Sequence, residues 1–242
     1  MIRIDIKGVI VSNDDKYIYD MFGIEATCPD DVNSKIEEAN GEGLVVVINS
    51  GGGSVYDGAE IYTALKNYKG HVETQVVGIA ASSASVIAMS GDIIKMSPVS
   101  EMMIHNTSMH NFGDYHSMDK ASEVLKSTNK IIANAYRLKT GKSEEELLKL
   151  MDKETWFTPQ EALDAGFIDE IMFDEGLKLT ASDATPLPSN IINTVKNIIQ
   201  KDNKLKERID ALEESVSQLK NTIEPKEEPK NEGSFNFFKK WR

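Results

Sequence analysis

Gly78-Ile79-Ala80-Ala81-Ser82-Ser83-Ala84-Ser85 decides how this chain folds, because of what stands on either side of it. Upstream, Val72-Glu73-Thr74-Gln75-Val76-Val77 alternates apolar with polar and then turns apolar, the pattern of a strand entering a core. Downstream, Ala84 to Met89 is small and apolar and reads as a helix able to sit close against a sheet. Ser82 therefore falls at a strand-to-helix turn, where a side chain is exposed and neighbouring backbone N–H groups point the same way. A serine so placed can act as a nucleophile, provided a base reaches its hydroxyl. The alternative is that Ser82 only caps the helix, satisfying one of its orphan N–H groups.

The same alternation of elements extends outward. Leu44-Val45-Val46-Val47-Ile48 is a continuous apolar run, as expected of a strand covered on both faces of a parallel sheet. Asn49-Ser50-Gly51-Gly52-Gly53-Ser54 follows it, and Ala59, Ile61, Tyr62 and Leu65 then mark a helix. Strand, helix, strand, helix is an α/β arrangement. Ile4, Ile6 and Val9 to Val11 read as an opening strand broken near Gly8, Asp14 to Lys16 as a turn, and Tyr17 to Ile24 as a second extended piece. Asp30 or Asp31 is placed to cap a helix carrying Val32, Ile36 and Ala39, ended by Asn40-Gly41. Ile93 to Met96 and Met102 to Ile104 are further strands. From Met118 onward, Ala121, Leu125, Thr128, Ile132, Ala135 and Leu138 share one helical face, closed by Thr140-Gly141. Ser143 with Glu146, and Thr158 with Glu161, are capping boxes for two shorter helices, and Phe167 to Ile171 returns to a strand.

Composition narrows the function. The 242 residues hold one core of ordinary size, and a net charge of −12 argues against a nucleic-acid-binding surface. The single cysteine, Cys28, excludes an internal disulfide and a Cys-rich zinc site. The charged, alternating start is not a signal peptide, and no apolar run reaches the length needed to cross a bilayer. The expectation is a soluble, cytoplasmic protein with no membrane partner. Thr180 to Pro188 is rich in Ser, Thr, Asp, Pro and Ala and reads as a linker. The chain thus divides into a body at 1–175, a linker at 176–189, a heptad helix at 190–224 and a disordered tail at 225–242. In the helix Ile191, Val195, Ile198, Asp202, Leu205, Ile209, Leu212, Val216, Leu219 and Ile223 form a coiled-coil seam with one polar member. The tail ends in an aromatic-basic tip carrying Phe235, Phe237, Phe238 and Trp241 with Lys239, Lys240 and Arg242.

Acyl transfer by serine needs a base, a group orienting that base, and donors for the oxyanion. Of the four histidines, His71 precedes the Val72 strand at the edge opposite Ser82, and His110 and His116 lie in an irregular polar stretch. His105 closes the Met102–Ile104 strand, which places it at the same C-terminal sheet edge as Ser82, where sites form in open α/β sheets. The triple glycine 51–53 exposes backbone N–H donors at that edge, or is simply a tight turn. It is not a phosphate loop, since no Gly-Lys-Ser/Thr follows, and no metal-ligand spacing occurs. No cofactor is expected.

Ile48-Asn49-Ser50-Gly51-Gly52-Gly53, Gly78-Ile79-Ala80-Ala81-Ser82 and Met103-Ile104-His105 occur in the order and spacing of the Clp protease proteolytic subunit (ClpP) family. The resemblance runs roughly from Met1 to Ile171 and takes in Thr140-Gly141 and Thr158-Pro159-Gln160-Glu161-Ala162. It implies a ClpP/crotonase-like fold of repeated ββα units and a Ser-His-acid endopeptidase assembled as a homo-oligomeric ring. Carried over by position, Ser82 resembles the nucleophile, His105 the general base, and the Gly52 and Ser83 N–H groups the oxyanion donors. Gly51 stands where the family usually has proline. An ungapped count from Thr140-Gly141 puts Glu154 where the family has its orienting Asp, with Asp152 a near competitor. Glu154-Thr155-Trp156-Phe157-Thr158 and the heptad extension resemble the phage and prophage head-maturation branch. That branch implies cleavage of capsid scaffold or coat proteins inside a procapsid, docked through the C-terminal helix. The alternatives are a host-type Clp subunit served by an ATPase partner, a crotonase-type acyl-CoA enzyme, and a non-catalytic capsid assembly protein.

Overall fold

The apolar run at Leu44 lies inside a sheet with strands on both sides, as its composition requires. The computed structural model describes residues 1–174 and Lys206. In chain order the elements are β1 (Ile2–Ile10), α1 (Asn13–Met21), β2 (Ala26–Thr27), α2 (Pro29–Ala39), β3 (Leu44–Gly53), α3 (Val55–Asn67), β4 (Val72–Ala81), α4 (Ser83–Ala88), β5 (Ile93–Met96), β6 (Glu101–Ile104), α5 (Tyr115–Thr140), α6 (Glu144–Asp152), β7 (Thr155–Phe157), α7 (Pro159–Asp164) and β8 (Glu170–Ile171). Six strands lie in the order β2-β1-β3-β4-β5-β8, every neighbouring pair parallel. Val46, Val47 and Ile48 are all buried, so both faces of β3 are covered and the strand needs no polar alternation. Residues Met1–Glu175 form one unit, an α/β domain.

One departure from a simple parallel sheet positions the site. The first half of β4 pairs with β5 through Glu73 to Val76, and its last residues, Ile79 to Ala81, pair with β6 instead. At the change of partner the β3–β4 register shifts between Ile48 and Ser50, and Asn49 Oδ1 accepts from the Ile79 N–H at 3.2 Å. A side chain on Gly78 would put its Cβ 2.3 Å from that Asn49 oxygen, so any larger residue would have to displace the Asn49 side chain from its bond to Ile79. β6 then pairs antiparallel with β7, bringing the chain around Glu154 to the end of β6.

Three local expectations are corrected. Tyr17 to Ile24 is not extended: residues 13–21 are helical, because Ser12 accepts from the Asp15 N–H and Asp14 and Asp15 sit in the positive first turn. The cap of α2 is Cys28 rather than Asp30 or Asp31; Pro29 takes the first helical position and Asp31 accepts from the Cys28 N–H at 3.1 Å. On α5 the buried residues are Ala133, Ala135 and Tyr136, while Leu138 faces out. Both capping boxes form as read, at Ser143–Glu146 and Thr158–Glu161. The linker at 176–189, the heptad helix at 190–224 and the tail at 225–242 lie outside the described residues, apart from Lys206. Among the described residues no helix is long and apolar enough to cross a membrane.

Candidate active site

Ser82 follows β4 directly and precedes α4, and its own N–H still donates to Met103 O across the β4–β6 ladder at 3.0 Å. Since Ala81 stands opposite Met103, β6 delivers His105 at the same edge as Ser82. The two side chains meet: His105 Nε2 lies 2.8 Å from Ser82 Oγ. For the imidazole to accept the hydroxyl proton, its other nitrogen, Nδ1, must carry the ring proton. His71, by contrast, pairs with Asp92 at the start of β4, away from this edge.

The capping alternative for Ser82 does not hold in this geometry. Its side chain makes no cap bond to α4, and its backbone sits at φ 55° and ψ −127°, whereas an ordinary N-cap is extended. Positive φ in a non-glycine residue is strained by roughly 1–3 kcal/mol and persists only where surrounding contacts impose it. The result is a hydroxyl turned away from the helix and onto the imidazole.

Gly52 shows how tightly this turn is packed. A Cβ there would fall 2.7 Å from Ala81 O and 2.8 Å from Ser82 Cβ, at a backbone φ of 92°. Its N–H donates to Ser50 Oγ at 3.0 Å, and Ser50 Oγ donates to Gly8 O at 2.7 Å. The Ser83 N–H lies in the first turn of α4, where no helical carbonyl can accept it. With Ser82 as the nucleophile that the family resemblance implies, Gly52→Ala should lower kcat about a hundredfold by displacing the Ser82 turn. Gly51→Ala, whose Cβ meets nothing within 4 Å, should leave peptide hydrolysis within about twofold of wild type. Equal rates for the two variants would contradict this packing.

The two candidate carboxylates are placed differently. β6 and β7 pair Met102 with Phe157, Met103 with Trp156 and Ile104 with Thr155, so Glu154 and His105 are the residues next to the last pair of that ladder. Glu154 occupies left-handed backbone, φ 50°, and its carboxylate accepts from Trp156 Nε1 at 3.4 Å, a long bond. Asp152 Oδ1 accepts from Asn106 Nδ2 at 2.7 Å. Among the described residues neither carboxylate hydrogen-bonds His105.

Other groups fasten the site that the sequence did not single out. Thr107, two residues after His105, donates from both N–H and Oγ1 to Asn129 Oδ1 on α5, each at 2.8 Å. Ser85 Oγ bonds Ser82 O at 2.6 Å and the Tyr136 hydroxyl at 2.8 Å. Burial holds the Tyr136 phenol well above its ordinary range, so it stays protonated. The only local signal for this contact is two serines inside an otherwise apolar helix. Among the described residues no cluster of His, Cys, Asp and Glu could hold a metal ion.

Comparison with known proteins gives a consistent picture. Residues 35–175 match the family described as Clp protease. The ATP-dependent Clp protease proteolytic subunit 1 of Chlamydia abortus is 38% identical over 138 residues, spanning 55% of this chain and 71% of its own. The corresponding subunit of Streptococcus mutans is 36% identical over 143 residues, spanning 57% and 73%. A solved structure of a ClpP1 mutant from Listeria monocytogenes superposes with a TM-score of 0.59 at 22% identity, covering 70% of this chain and 90% of that one, a likeness of fold.

Proposed function

The chain belongs to the Clp protease family of peptidases, and from that membership we propose that it is a serine endopeptidase with Ser82 as nucleophile and His105 as general base. The observation that carries the proposal is the 2.8 Å contact between Ser82 Oγ and His105 Nε2 at a strained strand-to-helix turn. In the reaction His105 Nε2 takes the Ser82 proton as Oγ bonds the scissile carbonyl carbon. The imidazolium then returns that proton to the leaving amine as the C–N bond breaks, and water releases the acyl group by the reverse route. The developing oxyanion takes hydrogen bonds from the Ser83 and Gly52 N–H groups. Gly52 must release Ser50 Oγ to do so, an exchange that favours the charged acceptor over the neutral hydroxyl.

Glu154 serves as the orienting carboxylate in this proposal. It stands just before β7, the strand paired with the one that His105 follows, and its long bond to Trp156 is cheap to exchange for Nδ1–H. Glu154→Gln should lower kcat by roughly ten-thousandfold, as loss of an orienting carboxylate does in serine triads. Asp152→Asn, which can still accept from Asn106, should cost less than about tenfold. Peptide hydrolysis by the two folded variants checks this, and the reverse order would move the role to Asp152.

The proposal as a whole is tested by a fluorophosphonate probe with mass-spectrometric mapping. Labelling at Ser82 is expected; labelling elsewhere, or none, would remove the serine mechanism. The related subunits are named ATP-dependent, but no phosphate loop occurs among the 242 residues, so a short unstructured peptide should be cut without nucleotide. Assembly into a ring and action on protein substrates follow the family. The narrower head-maturation reading rests on the Glu154–Thr158 segment and on residues 191–223, which are outside the described part apart from Lys206; the relatives are named as Clp proteolytic subunits.

A further inference from the structure

Taking Ser82 as the nucleophile, we propose that Ser85 and Tyr136 are positioning residues, two hydroxyls in series that clamp the Ser82 carbonyl and hold the nucleophile's turn at its strained angles. The direction of the chain follows from donor chemistry. Ser82 O can only accept, so Ser85 Oγ, 2.6 Å away, must donate its single proton there. The 2.8 Å contact between Ser85 Oγ and the Tyr136 hydroxyl must then be a bond in which Tyr136 donates. The Ser82 carbonyl also accepts from the backbone N–H groups of Ser85 at 3.0 Å and Val86 at 3.4 Å.

Packing alone does not call for these hydroxyls. Every residue of α4 is buried, and Ser85 and Tyr136 are 0% and 1% exposed. An apolar pair there would avoid the cost of burying two polar groups. A paired set of buried hydroxyls adds direction instead: it tethers one carbonyl to one point on α5, 51 residues away in sequence. The carbonyl so tethered belongs to the residue at φ 55° and ψ −127°, a conformation that needs surrounding constraints to persist. If the carbonyl rotates, the Ser82 turn relaxes and Oγ leaves its line to His105 Nε2.

The experiment compares wild type, Tyr136→Phe, Ser85→Ala and the double variant, each well below its melting temperature. It reads kcat and KM on a fluorogenic peptide and the rate of fluorophosphonate labelling at Ser82. Ser85→Ala is expected to lower kcat and labelling by about thirtyfold, and Tyr136→Phe by about fivefold, with KM within about twofold. The double variant should be no slower than Ser85→Ala alone, since Tyr136 acts through Ser85. Tyr136→Phe loses one oxygen and keeps its ring edge-on to Phe167, so it provides a folded variant even if Ser85→Ala unfolds. Variants that melt earlier but label and turn over at the wild-type rate would overturn the proposal, as would losses that multiply in the double variant. A wild-type protein that is not labelled at Ser82 would count against the nucleophile itself, whereas a labelled wild type with equally fast variants would count against the clamp alone.

Discussion

Ser82→Ala is expected to abolish peptide hydrolysis, with kcat falling on the order of 10⁶-fold, and to leave the fold intact. The hydroxyl is the only group lost. Its hydrogen bond is to His105, an imidazole with partial access to water, so no buried donor is stranded. Alanine inherits the strained backbone of the turn but keeps the Cβ that already lies against Gly52. The backbone bonds on either side, from the Ser82 N–H to Met103 O and from Ser85 to Ser82 O, survive the change. Thermal unfolding should therefore shift by only a few degrees while turnover disappears. Turnover within tenfold of wild type would show that another group attacks the carbonyl.

His105→Ala should be nearly as damaging, and combining it with Ser82→Ala should add nothing. In the proposed mechanism the two side chains, 2.8 Å apart, share one proton transfer, so removing either removes the step. The measurement is kcat/KM for both single variants and the double variant on the same peptide. Losses that multiply would place Ser82 and His105 in separate steps. The histidine variant should retain its fold, because β6 is held by its pairing with β4 and β7 and the following loop by Thr107 on Asn129.

How far these residues could be found from sequence depends on how far apart the determining contacts lie. Ser82 and His105 were legible because each ends a strand of a parallel sheet, and parallel strands bring their C-terminal ends to one edge. The capping boxes at Ser143 and Thr158 were legible because donor and acceptor are three residues apart. Tyr17 to Ile24 misled because aromatic and β-branched residues resemble a strand, while the Ser12 cap and the acidic first turn decide for helix.

The sequence by itself therefore determined the α/β class, the strand-turn-helix that presents Ser82, His105 at the same edge and the two helices that open on capping boxes. Each is written in a window of a few residues or in a hydrophobic period. Only the tertiary structure decided that β4 changes partner at Gly78, that β7 pairs with β6 and so brings the chain before Thr155 to the end of β6, and that Tyr136 reaches Ser85. Those arrangements join segments far apart in sequence, 51 residues in the case of Ser85 and Tyr136. No local pattern of polarity can encode them, because they exist only when two separate elements pack at one distance.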